Sequence, residues 1–120
     1  MSKERKVFEK EVKEFLSKLW NKDFEERTIQ IKDMSKKFDL VSEDKKFIGD
    51  AKYYKNIKVP AGKWSTIAEY VWLLEKTDAV KKFLVFGNDI AVPARWLKRF
   101  GSLTDVEFYF FADGQLIKLK

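Results

Sequence analysis

From Phe8 to Leu19 the apolar residues Phe8, Val12, Phe15, Leu16 and Leu19 recur at spacings of three and four, the period of an amphipathic helix. Ser2 to about Asn21 is expected to form it. Glu26 to Ile31, with Thr28, Ile29 and Ile31, has β-forming composition and predicts a first strand, and Lys32 to Lys37 reads as a polar loop. Two apolar runs, Phe38 to Val41 and Phe47 to Ile48, flank the polar residues Ser42 to Lys46 and predict a β-hairpin. Pro60 and Gly62 then mark a loop, and Thr66 with Glu69 has the spacing of a capping box at a helix start. The helix that follows ends near Lys76 and carries Trp64, Ile67, Ala68, Val71 and Leu74 on one face, with Tyr70, Trp72 and Leu73 elsewhere. Lys82 to Phe86 is a short apolar strand ended by Gly87-Asn88. Val92 to Phe100 is a helix with Pro93 in its first turn and Gly101 as its stop. Val106 to Phe111 and Gln115 to Leu119 form a hairpin about Asp113-Gly114, a favoured two-residue turn. The expected order, α-β-β-β-α-β-α-β-β, gives an α/β fold over residues 1–120, one domain with a mixed β-sheet flanked by helices.

The hairpin between Phe38 and Lys52 concentrates the chemistry. Its turn is centred between Asp44 and Lys45, and either a two-residue or a four-residue loop, Glu43 to Lys46, makes cross-strand partners sum to 89. Val41 then pairs with Ile48, and Asp39 stands opposite Asp50 with Cβ atoms about 4.5–5.5 Å apart. Like charges directly opposite are destabilising, so the pair calls for a proton or a cation. Oxygen donors of this kind suit Mg²⁺ or Mn²⁺. Lys52, two residues beyond Asp50, points to the same face and sets an ammonium beside the ion. The Ala51 side chain points away, leaving its backbone carbonyl as a donor.

Composition narrows the alternatives. The chain of 120 residues has no cysteine and no histidine, which removes thiolate zinc sites, cysteine nucleophiles, Ser-His-Asp triads and His-metal centres. Hydrolysis here must rest on carboxylates, lysine and a hard metal. No apolar run is long enough to span a membrane, so a cytoplasmic protein is expected. The net charge of +6 is concentrated: Lys45, Lys46, Lys52, Lys55, Lys58 and Lys63 lie between positions 45 and 63 against the acid Asp50. Clustered lysine is the electrostatic footprint of phosphate binding, and Tyr53 and Tyr54 interleave with it. The helix around Trp64 to Lys76 is apolar nearly all round, which asks for cover from its own domain or from a partner; a homodimer through it is the expectation.

Asp39, a gap of ten residues, and then Asp50-Ala51-Lys52 resemble the PD-(D/E)XK nuclease superfamily, the restriction-endonuclease-like fold that includes archaeal Holliday-junction resolvases and Mrr-type enzymes. Phe38 stands where the family's pattern has proline. The resemblance spans roughly Lys6 to Phe86 and implies a restriction-endonuclease-like sheet and Mg²⁺-dependent hydrolysis of DNA, branched or junction DNA included. It assigns metal binding to Asp39 and Asp50, and orientation or activation of the attacking water to Lys52. In the first helix, geometry alone leaves Glu9 and Glu11 equivalent. Phe8-Glu9 followed by Val12 and Leu16 resembles the order in related nucleases, which implies Glu9 as a further metal-site or water-binding acid. Lys55, Lys58 and Lys63 are the expected phosphate contacts. The rival expectation is a non-catalytic nucleic-acid-binding or assembly module that uses the same lysines and no metal.

Overall fold

The computed structural model describes residues 3–54 and 61–120, with residues 61 and 62 described for their backbone alone. The chain runs α1 (Lys3–Leu19), β1 (Phe24–Ile31), β2 (Met34–Ser42), β3 (Phe47–Tyr54), α2 (Ala61–Glu75), β4 (Lys81–Asn88), α3 (Ala91–Phe100), a 3₁₀ turn (Gly101–Leu103), β5 (Glu107–Ala112) and β6 (Gln115–Lys118). The six strands lie side by side in chain order. β1, β2 and β3 pair antiparallel, β3, β4 and β5 pair parallel, and β6 returns antiparallel to β5. The result is the expected α/β architecture, a mixed sheet flanked by helices. Among the described residues no helix is long and apolar enough to cross a membrane.

Each face of the sheet has its own core. On one, Phe8, Val12 and Leu16 of α1 pack with Leu40, Ala51, Phe83 and Val85. On the other, Ile67, Val71 and Leu74 of α2 and Val92 and Trp96 of α3 pack with Ile48, Leu84 and Phe86. β4 therefore alternates between two buried faces, which is why Phe83 to Phe86 reads as an unbroken apolar run. The docking of α1 depends on a missing side chain. A Cβ built on Gly87 would stand 2.3 Å from the Phe8 ring, so glycine there lets Phe8 lie against the strand and fixes the height of its neighbour Glu9.

Several boundaries differ from those expected. Residues 32–37 are not a loop: Lys32 and Asp33 alone form the turn, with Lys32 at φ 51°, and Met34 to Lys37 pair with Ile31 to Thr28. Ladder bonds come from the backbone and need no apolar side chain, so the polar start of β2 carried no periodic signal. β1 likewise begins at Phe24, and β4 includes Gly87 and Asn88. Thr66 and Glu69 lie inside α2, which starts at Ala61, and so form no capping box. Gly101 has φ −58° and carries the chain into the 3₁₀ turn instead of a left-handed stop. α2 is apolar on more than one side, as expected, yet Trp72 stays 58% exposed.

The β2–β3 turn takes the four-residue form. Asp44 is its organiser: its carboxylate accepts hydrogen bonds from Ser42 Oγ (2.6 Å), the Lys46 N–H (3.0 Å) and Lys22 Nζ (2.8 Å). These donors hold its carboxyl well below the ordinary value of 3.8, the Lys22 bond first among them. A depressed carboxylate stabilises the fold fully above its unfolded value and less as pH falls through its native one. Asp44→Ala is therefore expected to lower the melting temperature at about pH 7, with the difference from wild type shrinking steadily toward about pH 2. Gly87→Ala is expected to cost about 1–3 kcal/mol through overpacking against Phe8, measured by urea denaturation; a neutral effect would show that α1 docks elsewhere.

Candidate active site

The β2–β3 pairs Leu40 with Gly49 and Val41 with Ile48 are those of the sum of 89. Beyond them the ladder changes character. The Asp39 N–H donates to Asp50 Oδ1 at 2.8 Å, and the Ala51 N–H donates to Asp39 Oδ2 at 3.3 Å. Each carboxylate takes the place that a backbone carbonyl of the facing strand would hold, so the strands part where the two acids meet. A β-bulge produces this parting. Between β1 and β2 the register passes from Glu25–Val41 to Arg27–Phe38, so Asp39 and Leu40 together oppose Glu26. The extra residue puts Phe38 and Val41, three apart, into the same core and turns Asp39 aside. Bulges of this kind re-aim side chains next to active sites.

Asp50 is 2% and Lys52 5% exposed, and Lys52 Nζ lies 2.7 Å from Asp50 Oδ2. Burial pushes the Asp50 carboxyl up to about 7, against the pull of Lys52 and with a further push from Asp39. Burial by itself would lower the Lys52 ammonium; the adjacent Asp50 carboxylate overrides it and holds Lys52 above the ordinary lysine value. The ammonium also sits 3.3 Å from the centroid of the Tyr70 ring, and Lys36 Nζ approaches that ring at 4.6 Å. Tyr70 and Lys36 were not singled out in the sequence. The available signal was the row Lys63, Thr66 and Tyr70, polar-tipped residues at spacings of three and four on a mostly apolar helix.

Glu9 lines a cleft with Asp39 and Glu26. Its carboxyl is raised first by burial and next by the Asp39 charge, although Arg5 pairs with it at 3.1 Å. Glu11 lines a different cleft, with Tyr53 and Asn88, so the geometry joins Glu9 and not Glu11 to Asp39. Lys63 borders the cleft that holds Lys52 and Tyr70, with its Nζ 4.5 Å from the Tyr54 ring. Lys55 and Lys58 lie outside the described residues.

Among the described residues no three acidic side chains form a metal cage by themselves. The available donors are the Asp39 and Asp50 carboxylates and the Ala51 carbonyl. Within a strand the N–H and C=O of one residue point to the same edge, so the bond from the Ala51 N–H to Asp39 turns its carbonyl toward the same opening. Two carboxylates and a carbonyl, all hard oxygens, fit an ion such as Mg²⁺, which keeps several waters and uses one or two carboxylates. A divalent cation held there would also offset the burial penalty that raises Asp50. Comparison with protein-family models, curated proteins and solved structures returns no match to this chain.

Lys52→Met is expected to destabilise the protein by about 3 kcal/mol, the low end for breaking a buried ion pair, because Asp50 can take up a proton. The double variant Asp50→Leu with Lys52→Met is expected to regain wild-type stability or exceed it. A denaturant double-mutant cycle checks this, and additive losses would contradict it.

Proposed function

We propose that this protein is a divalent-metal-dependent endonuclease that hydrolyses DNA phosphodiester bonds on a restriction-endonuclease-like domain of the PD-(D/E)XK type. The observation that carries the reading is the exchange at the strand parting: two carboxylates from adjacent strands, each bonded to the other strand's backbone, with a buried ammonium 2.7 Å from one of them. A scaffold gains nothing from that arrangement, since desolvating both charges costs several kcal/mol per ion.

Asp39, Asp50 and the Ala51 carbonyl are the residues to hold Mg²⁺ or Mn²⁺. When bound, the ion supplies a Lewis acid for the scissile phosphate and lowers the pKa of a water. Lys52 stays charged and offers its remaining N–H groups to the attacking water or to the charge that builds on the phosphate oxygens. Glu9, on the far side of Asp39, orients water or further cation. Lys63 at the cleft wall contacts backbone phosphates, which position DNA without reading its sequence; Lys55 and Lys58 are assigned the same role from the sequence. As the water oxygen bonds to phosphorus, one ester P–O bond breaks, and the water's proton ends on the leaving oxygen directly or through solvent. The reading also takes two copies per DNA, joined across the outer face of α2, where Trp72 is exposed beside a groove that runs to Trp96 and Phe100. Exposed aromatic patches of this kind mark interaction surfaces.

The deciding experiment incubates labelled linear duplex, single-stranded and four-way-junction DNA with the protein in Mg²⁺, Mn²⁺ or EDTA. Cutting is expected with either metal and not with EDTA, and Asp50→Asn and Asp39→Asn are each expected to reduce it at least about 100-fold while DNA binding persists. If the wild type binds DNA in a salt-sensitive way and cuts nothing, the nuclease reading falls and a non-catalytic binding module replaces it.

A further inference from the structure

We infer that the cleft at the C-terminal ends of β3, β4 and β5 takes an unpaired nucleobase, so that the DNA this protein engages carries an unpaired nucleotide beside the phosphate at Lys52. The inference rests on the nuclease reading for the position of that phosphate.

Tyr53 lines two clefts. The first, of about 510 Å³, holds Lys52, Lys63 and Arg5, and no acid lines it among the described residues. The second, of about 570 Å³, is lined by Glu4, Glu11 and Asp113 and, among the described residues, by the single cation Lys3. Among the described residues the sign of charge therefore differs between two clefts that share one side chain. A nucleotide has the same polarity: an anionic phosphate at one end, and at the other a neutral flat base with N–H donors on its edge. Carboxylates that repel the phosphate accept hydrogen bonds from those donors, as they do from cytosine N4.

The wall of the second cleft suits a flat ring. The half-buried Tyr53 presents its ring there, backed by the buried Phe8, 5.0 Å away centroid to centroid, and by Phe111, 6.3 Å from Phe8. Aromatic side chains bind bases by stacking with little sequence preference. Asn88 lines the same cleft, and its amide both donates and accepts, which matches the mixed edge of a base. The volume falls within the range of small-molecule sites, about 300–1,000 Å³. Bases in an intact duplex are stacked and paired, and reach such a pocket only when extruded or already single-stranded.

The test is fluorescence anisotropy in EDTA, with a labelled single strand of about 12 nucleotides, the same strand in a blunt duplex, and a strand carrying abasic sites. The base-containing strand is expected to bind about tenfold more tightly than the other two. Asn88 has φ 77°, a conformation glycine adopts freely, so Asn88→Gly removes the amide and keeps the backbone. It is expected to weaken single-strand binding several-fold and leave duplex binding unchanged, and Tyr53→Leu to weaken single-strand binding at least as much, with melting temperatures as the check on folding. Equal binding of intact and abasic strands, or parallel losses for strand and duplex in Asn88→Gly, overturns the pocket. Base-dependent binding by a protein that cuts nothing in Mg²⁺ leaves the pocket standing and removes only the nuclease reading; duplex cutting without base dependence does the reverse.

Discussion

An ammonium and a carboxylate 2.7 Å apart, both almost out of water, are the arrangement around which the other elements are placed. Their mutual attraction offsets desolvation only when further hydrogen bonds and dipoles surround them. The Asp39 N–H supplies one on the carboxylate side, and the face of Tyr70 supplies another on the ammonium side. Even so, burial keeps Asp50 far above an ordinary carboxylic acid. A pair held at such cost adds little to stability beyond what apolar residues of similar size would give.

The sheet gives this pair a rigid base and an open side. β3 runs parallel to β4 along its whole length, from Phe47–Lys81 to Tyr54–Asn88, and β4 is covered on both faces, so Asp50 and Lys52 stand on a fully paired strand beside the buried centre of the sheet. β2 behaves differently. Its bulge opposite Glu26 lets it leave β3 after Leu40, and the gap is bridged by side chains where a continuous ladder would have used carbonyls. Rigid support under an interrupted strand pair is what a preorganised site requires. α1 completes the frame, because the Phe8 contact that Gly87 permits brings Glu9 to the Asp39 side and Glu11 to the other.

Charge is sorted along the same edge. Among the described residues Arg5, Lys52 and Lys63 line one of the clefts beside Tyr53, and Glu4, Glu11 and Asp113, with Lys3, line the other. The net positive charge of the chain is thus unevenly spread between the two.

The hairpin register was legible along the chain because strand side chains alternate with a period of two and an even loop preserves a constant sum. Asp39, Asp50 and Lys52 could therefore be brought together on paper, the helix at Phe8 was readable from its three-and-four spacing, and the helix at Val92 from Pro93 in its first turn. The polar beginning of β2 was not, since its backbone bonds to β1 leave no mark on side-chain polarity. The start of α2 was missed because Thr66 has the residue type of a cap, whereas the helix begins at Ala61 and carries Thr66 inside it. Local sequence by itself determined which residues alternate, which recur along a helix, and that neither histidine nor cysteine could act. Only the tertiary structure decided that a bulge would turn Asp39, that Tyr70 from a distant helix would cover Lys52, and that Glu9 and Glu11 would face different clefts, because each depends on partners far away in the chain and on how closely two surfaces can approach.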